Sequence, residues 1–159
     1  MSGIRLEGDW SRLERGMHRL ARLNFTALHK EIGEYLVTST AERFKTETGP
    51  DGRKWPPSIR ARTEGGQTLT DTTTLKNSIS YRARPDKVIV GTMDKRASTH
   101  QTGRRIKVKR SRYLHFKVGG KWVKKKEVQI PARPFIGIND DDRTEIDKII
   151  SDAIEECFR

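Results

Sequence analysis

The chain has 159 residues, 33% of them hydrophobic, with a mean hydropathy of −0.80 and a formal charge of +12. That length suits a single domain over residues 1–159, and the 34 Leu, Ile, Val and Phe side chains allow only a small core, with extended polar appendages that a partner would order. No apolar run reaches the ~18–20 residues of a membrane span, the single Cys157 excludes an internal disulfide framework and fits a reducing cytoplasm, and the charge asks for an anionic partner, either nucleic acid or an acidic protein surface.

Residues 1–8 contain no apolar signal-like segment. Trp10, Leu13, Met17 and Leu20 then recur at spacings of three and four, which predicts a helix with Asp9 as its N-cap. A second helix is predicted over 25–46, with Phe25, Leu28, Ile32, Leu36 and Phe44 near one face and Asn24 at the bend before it. Gly49-Pro50 stops that helix, glycine near the C-cap and proline beyond it. The run from Asp51 to Pro57 reads as a turn and an extended segment. Residues 58–74 are polar, rich in Thr and Gly and without periodicity, which predicts a mobile loop.

Strands are expected at 78–84 and 87–92 across a Pro85-Asp86 turn. After a turn at 100–103, a basic hairpin is expected over 104–130, with strands at 113–118 and 121–128 joined by Gly119-Gly120. Residues 130–135 must be extended, because each proline pushes the residue before it out of the helical region. Asn139 caps a last helix whose first turn holds Asp140, Asp141 and Asp142, at the positive end of the helix dipole. Its apolar stripe is Ile146, Ile149, Ile150, Ala153, Ile154 and Phe158. The order α–α–β–β–β–β–α gives an α+β fold, N-terminal helices and a C-terminal helix packed on a small antiparallel sheet.

The residues that could carry chemistry do not assemble into a site. His18 and His29, eleven residues apart, would lie about 16 Å apart along a helix, too far to share a metal. His100 and His115 stand alone, and Cys157 lies beside the apolar stripe of the last helix as a packed thiol. The three consecutive aspartates point in different directions, so they read as capping charge and not as a cation site. Gly65-Gly66-Gln67 is similar to the tripeptide of release-factor-type peptidyl-tRNA hydrolases, but Thr68-Leu69-Thr70-Asp71 lacks that family's basic continuation.

The residues without chemistry carry the stronger resemblance. Phe44 followed by Gly49-Pro50-Asp51-Gly52-Arg53-Lys54-Trp55-Pro56-Pro57 resembles the opening signature of the phage virion morphogenesis family, the tail-completion proteins of Mu-like phages. Residues 69–79 (LTDTTTLKNSI) resemble its next block, which usually reads Thr-Gly-x-Leu-x-x-Ser-Ile; Thr73-Thr74-Leu75 stands where that pattern has its turn glycine. Val90-Gly91-Thr92, His100-Gln101-x-Gly103 and Ile130-Pro131-Ala132-Arg133-Pro134-Phe135-Ile136-Gly137 follow in the family's order, so the resemblance covers about residues 25–158. It implies a non-enzymatic structural protein without cofactor, located in the tail or neck of the virion and assembled in the host bacterial cytoplasm. It would act as a ring of its own copies against tail-tube or head-connector proteins, with possible contact to passing DNA and none to membrane. The competing reading, a small basic nucleic-acid-binding module, rests on charge alone.

Within that frame Trp55 and Phe135 are expected to anchor extended loops on the core, and Gly52, Gly91 and Gly103 to mark turns. Arg133 can reach a carboxylate across a subunit boundary. Eleven Lys and Arg residues and no acid lie between Arg104 and Lys126, against eight acidic and three basic residues from Asn139 to Arg159. The interaction residues expected on this division are Arg104, Arg105, Lys107, Lys109, Arg110, Arg112, Lys124, Lys125 and Lys126, on an arm that projects from the core to meet an acidic surface or DNA.

Overall fold

The computed structural model describes residues 8, 10–118 and 120–159; the expected N-cap Asp9, and Gly119 of the expected hairpin turn, lie outside the described residues. Helix α1 (Trp10–Leu20) and helix α2 (Phe25–Thr46) occupy the two predicted stretches. Asn24 caps α2, its side-chain oxygen accepting the Ala27 N–H at 3.1 Å. The other end of α2 differs from the expectation. The left-handed cap residue is Glu47 (φ 54°), not a glycine. Tertiary bonds hold it there: its carbonyl accepts the Trp55 N–H at 2.7 Å, and its carboxylate accepts the Thr68 N–H.

Residues 58–74 contain more regular structure than their composition suggests. Ser58 accepts the Ala61 N–H at 3.0 Å and caps a short helix, α3 (Ile59–Glu64), while Thr68 is 1% exposed. A one-turn helix, α4 (Thr74–Asn77), leads into strand β1 (Ile79–Ala83), which pairs antiparallel with β2 (Val88–Thr92) around the Pro85-Asp86 turn. Gly91 lies inside β2 opposite Ser80, so it is a strand residue and not a turn. The expected turn at 100–103 is the end of helix α5 (Ala97–Thr102), closed by Gly103 at φ 73°.

Strand β3 (Arg104–Lys107) pairs with β6 (Glu127–Ile130), and β4 (Leu114–Val118) with β5 (Lys121–Lys125). Helix α6 (Asp140–Phe158) ends the chain with a full capping box between Asn139 and Asp142. The class is α+β, built on three separate two-stranded ladders where one sheet was expected.

Two apolar clusters hold the layers together. Ile32 and Leu36 of α2 meet Ile149 of α6, with Val88 and Val90 of β2 alongside. Phe44, Trp55, Leu75, Ile79, Ala97 and Phe135 form the second cluster. Between them lies a buried ion pair, Arg43 with Asp142. β1 reaches α2 because residue 33 is glycine; a Cβ there would fall 2.5 Å from the Tyr81 ring. α1 leans on α6 through Gly16, over which the Phe158 ring sits. Its apolar stripe does not face the core as expected: Trp10, Leu13 and Met17 are 63%, 44% and 54% exposed.

Two predictions follow from this packing. Thr73 has φ 54° and makes no capping bond, at the position where counting back from Ser78-Ile79 puts the glycine of Thr-Gly-x-Leu-x-x-Ser-Ile. A β-branched residue held left-handed costs about 1–3 kcal/mol, so Thr73→Gly, despite its looser unfolded chain, raises the denaturation midpoint by the equivalent of about 1 kcal/mol. The second concerns Asp142. Burial alone would raise its carboxyl, but the Ser39 hydroxyl, the Asn139 amide and the Arg43 guanidinium outweigh burial and hold it below the usual carboxylate range. A depressed pKa contributes stability that is present above the ordinary Asp value of about 3.9 and is lost as pH falls through the lower folded value. Asp142→Asn therefore destabilises at pH 7 by about 3 kcal/mol, and the gap to the wild type, read in urea melts, closes as pH falls from about 5 to about 2.

Candidate functional site

The sequence blocks that resemble a family signature are far apart in the chain and meet at one place. Phe44 at the end of α2 touches Trp55 edge-to-face (ring centroids 5.4 Å apart, 81°) and Phe135 at 5.2 Å. Trp55 and Phe135, expected as anchors, are 5% and 0% exposed. The Trp55 indole N–H donates to the Pro134 carbonyl at 2.8 Å, and Arg133 Nε donates to the Pro56 carbonyl at 2.6 Å, so the segments 49–57 and 130–137 are laced side by side. Gly137 lets Pro50 in, since a Cβ there would lie 2.6 Å from the proline ring.

Helix α5 closes the knot from the other side. The Gln101 carboxamide accepts the Phe135 and Ile136 N–H groups at 3.0 and 3.2 Å and donates to the Ile136 carbonyl at 2.7 Å. Arg133 N–H donates to the His100 carbonyl at 2.6 Å, and at Gly103 a Cβ would meet the Ala132 backbone nitrogen at 2.8 Å. Sequence reading marked Gln101 only as part of a pattern. Its role as a backbone clamp on 135–136 needs a fold to be visible.

Arg133 is not where the subunit-boundary expectation puts it. It is 5% exposed, inside its own chain, and its guanidinium is taken by a backbone carbonyl; burial, then the nearby Arg62 charge, push it below the usual guanidinium value. His100 is likewise held below the usual imidazole value, by burial first and then by Arg133 and Arg96. His29 bonds the Arg84 carbonyl through Nδ1 at 2.7 Å. Cys157 is buried, its thiol donating to the Ala153 carbonyl at 3.3 Å. Among the described residues no three His, Cys, Asp or Glu side chains come together as a metal-holding group, and no helix is long and apolar enough to cross a membrane.

From this knot the basic arm leaves at Arg104 and returns at Ile130, whose pairing closes its base. Its register explains its shape. Val108 N–H donates to the Lys126 carbonyl at 3.1 Å, and the next pair up is Leu114 with Lys125. Residues 109–113 therefore have no opposite number and loop out of the ribbon, carrying Lys109, Arg110 and Arg112. Arg104, Arg105 and Lys107 lie on β3, Lys124 and Lys125 on β5, and Lys126 at the joint before β6; all nine are exposed. Among the described residues only Arg105 of the eleven arm cations pairs with a carboxylate, that of Glu127 at 2.6 Å, which lowers the Glu127 pKa.

The arm's tip is two-faced. Leu114, Phe116, Val118 and Val123 are half-buried on one side, while His115, Lys117, Trp122 and Lys124 face out. Trp122 is 70% exposed with Lys117 Nζ 5.9 Å from its ring centroid. The tip does not stand wholly free of the core as expected: β4 approaches α3, and a crevice between them is lined by Ile59, Arg60, Glu64, Lys117, Val118 and Gly120.

The model of the phage virion morphogenesis family matches residues 8–155, nearly the whole chain. No curated protein and no solved structure matches it.

The knot yields a prediction about which contacts hold it. Phe135→Ala removes a fully buried ring between Phe44 and the Gln101 clamp and costs about 3–5 kcal/mol. Trp55→Phe keeps most of the ring contact but loses the bond to the Pro134 carbonyl, and costs about 1–2 kcal/mol. Equilibrium denaturation measures both, and a midpoint unmoved by Phe135→Ala would show that the knot does not support the fold.

Proposed function

The chain belongs to the phage virion morphogenesis family, and on that premise we propose that it completes the tail at its head-proximal end and enables head–tail joining. In this reading it acts without catalysis, as a ring of its own copies in the virion neck, against tail-tube or head-connector proteins. The observation that carries the reading is the match over residues 8–155, and the use of its blocks supports it. Phe44, Trp55, Gln101, Gly103, Arg133 and Phe135 pack or clamp backbone, so the signature describes a scaffold that presents an arm. Such a scaffold suits a protein whose work is to hold neighbours.

A second reading, a nucleic-acid-binding module, draws on one specific observation, the arm cations without carboxylate partners. Contact of the arm with DNA passing through the neck is its milder form. The two readings separate in one experiment. Deleting the gene from its phage or prophage should give lysates with filled heads and detached tails in electron micrographs, and adding purified protein should join them. Normal particles from the deleted genome would sink the joining role, while tight duplex binding that falls steeply with log[salt] would favour the module.

A further inference from the structure

We propose that the basic arm of one copy docks along the acidic flank of α6 of the next, so that both halves of a head-to-tail interface are carried by this one chain. The inference rests on the ring reading above and names the surfaces that make it.

The first half is the arm, with ten cations outside any ion pair among the described residues, of which only Lys107 faces a carboxylate, that of Glu127. The second half is α6. Asp142, Ile149 and Cys157 lie on its buried face. At about 100° per residue, Asp141, Glu145, Asp152 and Glu156 fall together in one stripe along a flank of the helix, beside the buried face, with Asp141, Asp152 and Glu156 exposed. Of these, only Glu145 has a basic partner among the described residues, Lys148 of the same helix at 3.7 Å, while Asp141, Asp152 and Glu156 are exposed and have none; nor have Asp147 and Glu155. No ion pair joins the arm to α6 within the described residues of one copy. The chain thus holds a cationic surface and an anionic surface, each without its complement.

Length supports the match. Asp141 and Glu156 are fifteen residues apart, about 22 Å along the helix. The paired part of the arm has nine rungs, about 30 Å of ribbon, enough to lie along that stripe. Trp122 adds an exposed aromatic between Lys117 and Lys124, the kind of side chain that anchors an interface inside a charged rim. DNA would meet the arm equally well in charge but would leave the acidic stripe without a complement. A second copy satisfies both surfaces at once. Because the two patches are different surfaces of the chain, the contact is heterologous and propagates from copy to copy, closing into a ring when the rotation allows.

The test is a charge swap on the full chain. One variant carries Lys124→Glu, Lys125→Glu and Lys126→Glu; the other carries Asp141→Lys, Asp152→Lys and Glu156→Lys. All six side chains are exposed, and thermal melts verify that each variant folds. Sedimentation at low salt should show the wild type self-associating, each variant alone weakened by at least about tenfold, and an equimolar mixture of the two restored, since each supplies the charge that the other lost. A mixture that stays dissociated overturns the proposal. So does loss of assembly in the arm variant alone, which would leave the ring reading standing with another acceptor. If the wild type stays monomeric at all concentrations, the proposal and the ring reading fall together. Binding of a 30-bp duplex, abolished in the arm variant and unchanged in the α6 variant, with no self-association, would assign the arm to DNA.

Discussion

Arg43 and Asp142 are 99 residues apart in sequence and meet with side chains 6% and 1% exposed, and the architecture depends on their meeting. Taking two charges out of water is unfavourable unless every remaining donor and acceptor is matched. Here they are. Arg43 also donates to the carbonyls of Phe135 and Gly137 at 3.1 and 2.7 Å. Asp142 accepts the Ser39 hydroxyl at 2.5 Å and the Asn139 N–H at 2.9 Å. One ion pair thereby fixes the end of α2, the start of α6 and the extended segment between the arm and α6. A domain with so few large apolar side chains gains from this a directional lock that a few more methyl groups would not provide.

The lock governs where the arm goes. Residues 130–137 return from the arm, and their backbone is held by Arg43 on one side, Gln101 on another and the Trp55 indole on a third. With the return strand fixed, β6 is fixed, and β3 must pair with it. At Gly103 the outgoing chain passes the returning one too closely for a Cβ. The arm's direction is therefore a property of the knot, although none of the knot residues lies in the arm. A substitution in the knot that leaves the chain folded would still move the arm, and through it any surface the arm meets.

How much of this was legible in the sequence follows from the range over which each cause acts. The bounds of α2 and the hairpin at Pro85-Asp86 rest on local periodicity and turn chemistry, and both were readable. α3 is six residues long, too short for a period to register. Glu47 is left-handed because Trp55 and Thr68 bond to it, and nothing local announces that. The stripe of α1 was legible as an apolar face but not as an exposed one, since periodicity identifies a face and says nothing about what covers it. Arg43 lies between Glu42 and Lys45, and Asp142 closes a run of three aspartates, so each looked like ordinary solvated charge. The looped-out segment 109–113 was readable in principle. Residues 104–118 number fifteen and 121–130 number ten, so five residues on one side cannot be paired.

The arm itself is the least self-sufficient part of the fold. A two-stranded ribbon is marginal alone in water, and so many cations on one short ribbon repel one another. The register softens this by setting no Lys or Arg opposite another: Lys107 faces Glu127, Lys117 faces Trp122, and Lys121 and Lys125 face Val118 and Leu114. Support comes from the knot at the base and from α3 near the tip, with the bidentate Arg105–Glu127 pair the one internal counter-charge. In water that exposed pair contributes little. An anionic surface laid along the arm would remove the repulsion and cover Trp122 together, so it would favour the folded arm as much as the arm favours it. The same charges that make the ribbon a poor structure in isolation make it a suitable one for a place where a counter-charged partner is always present.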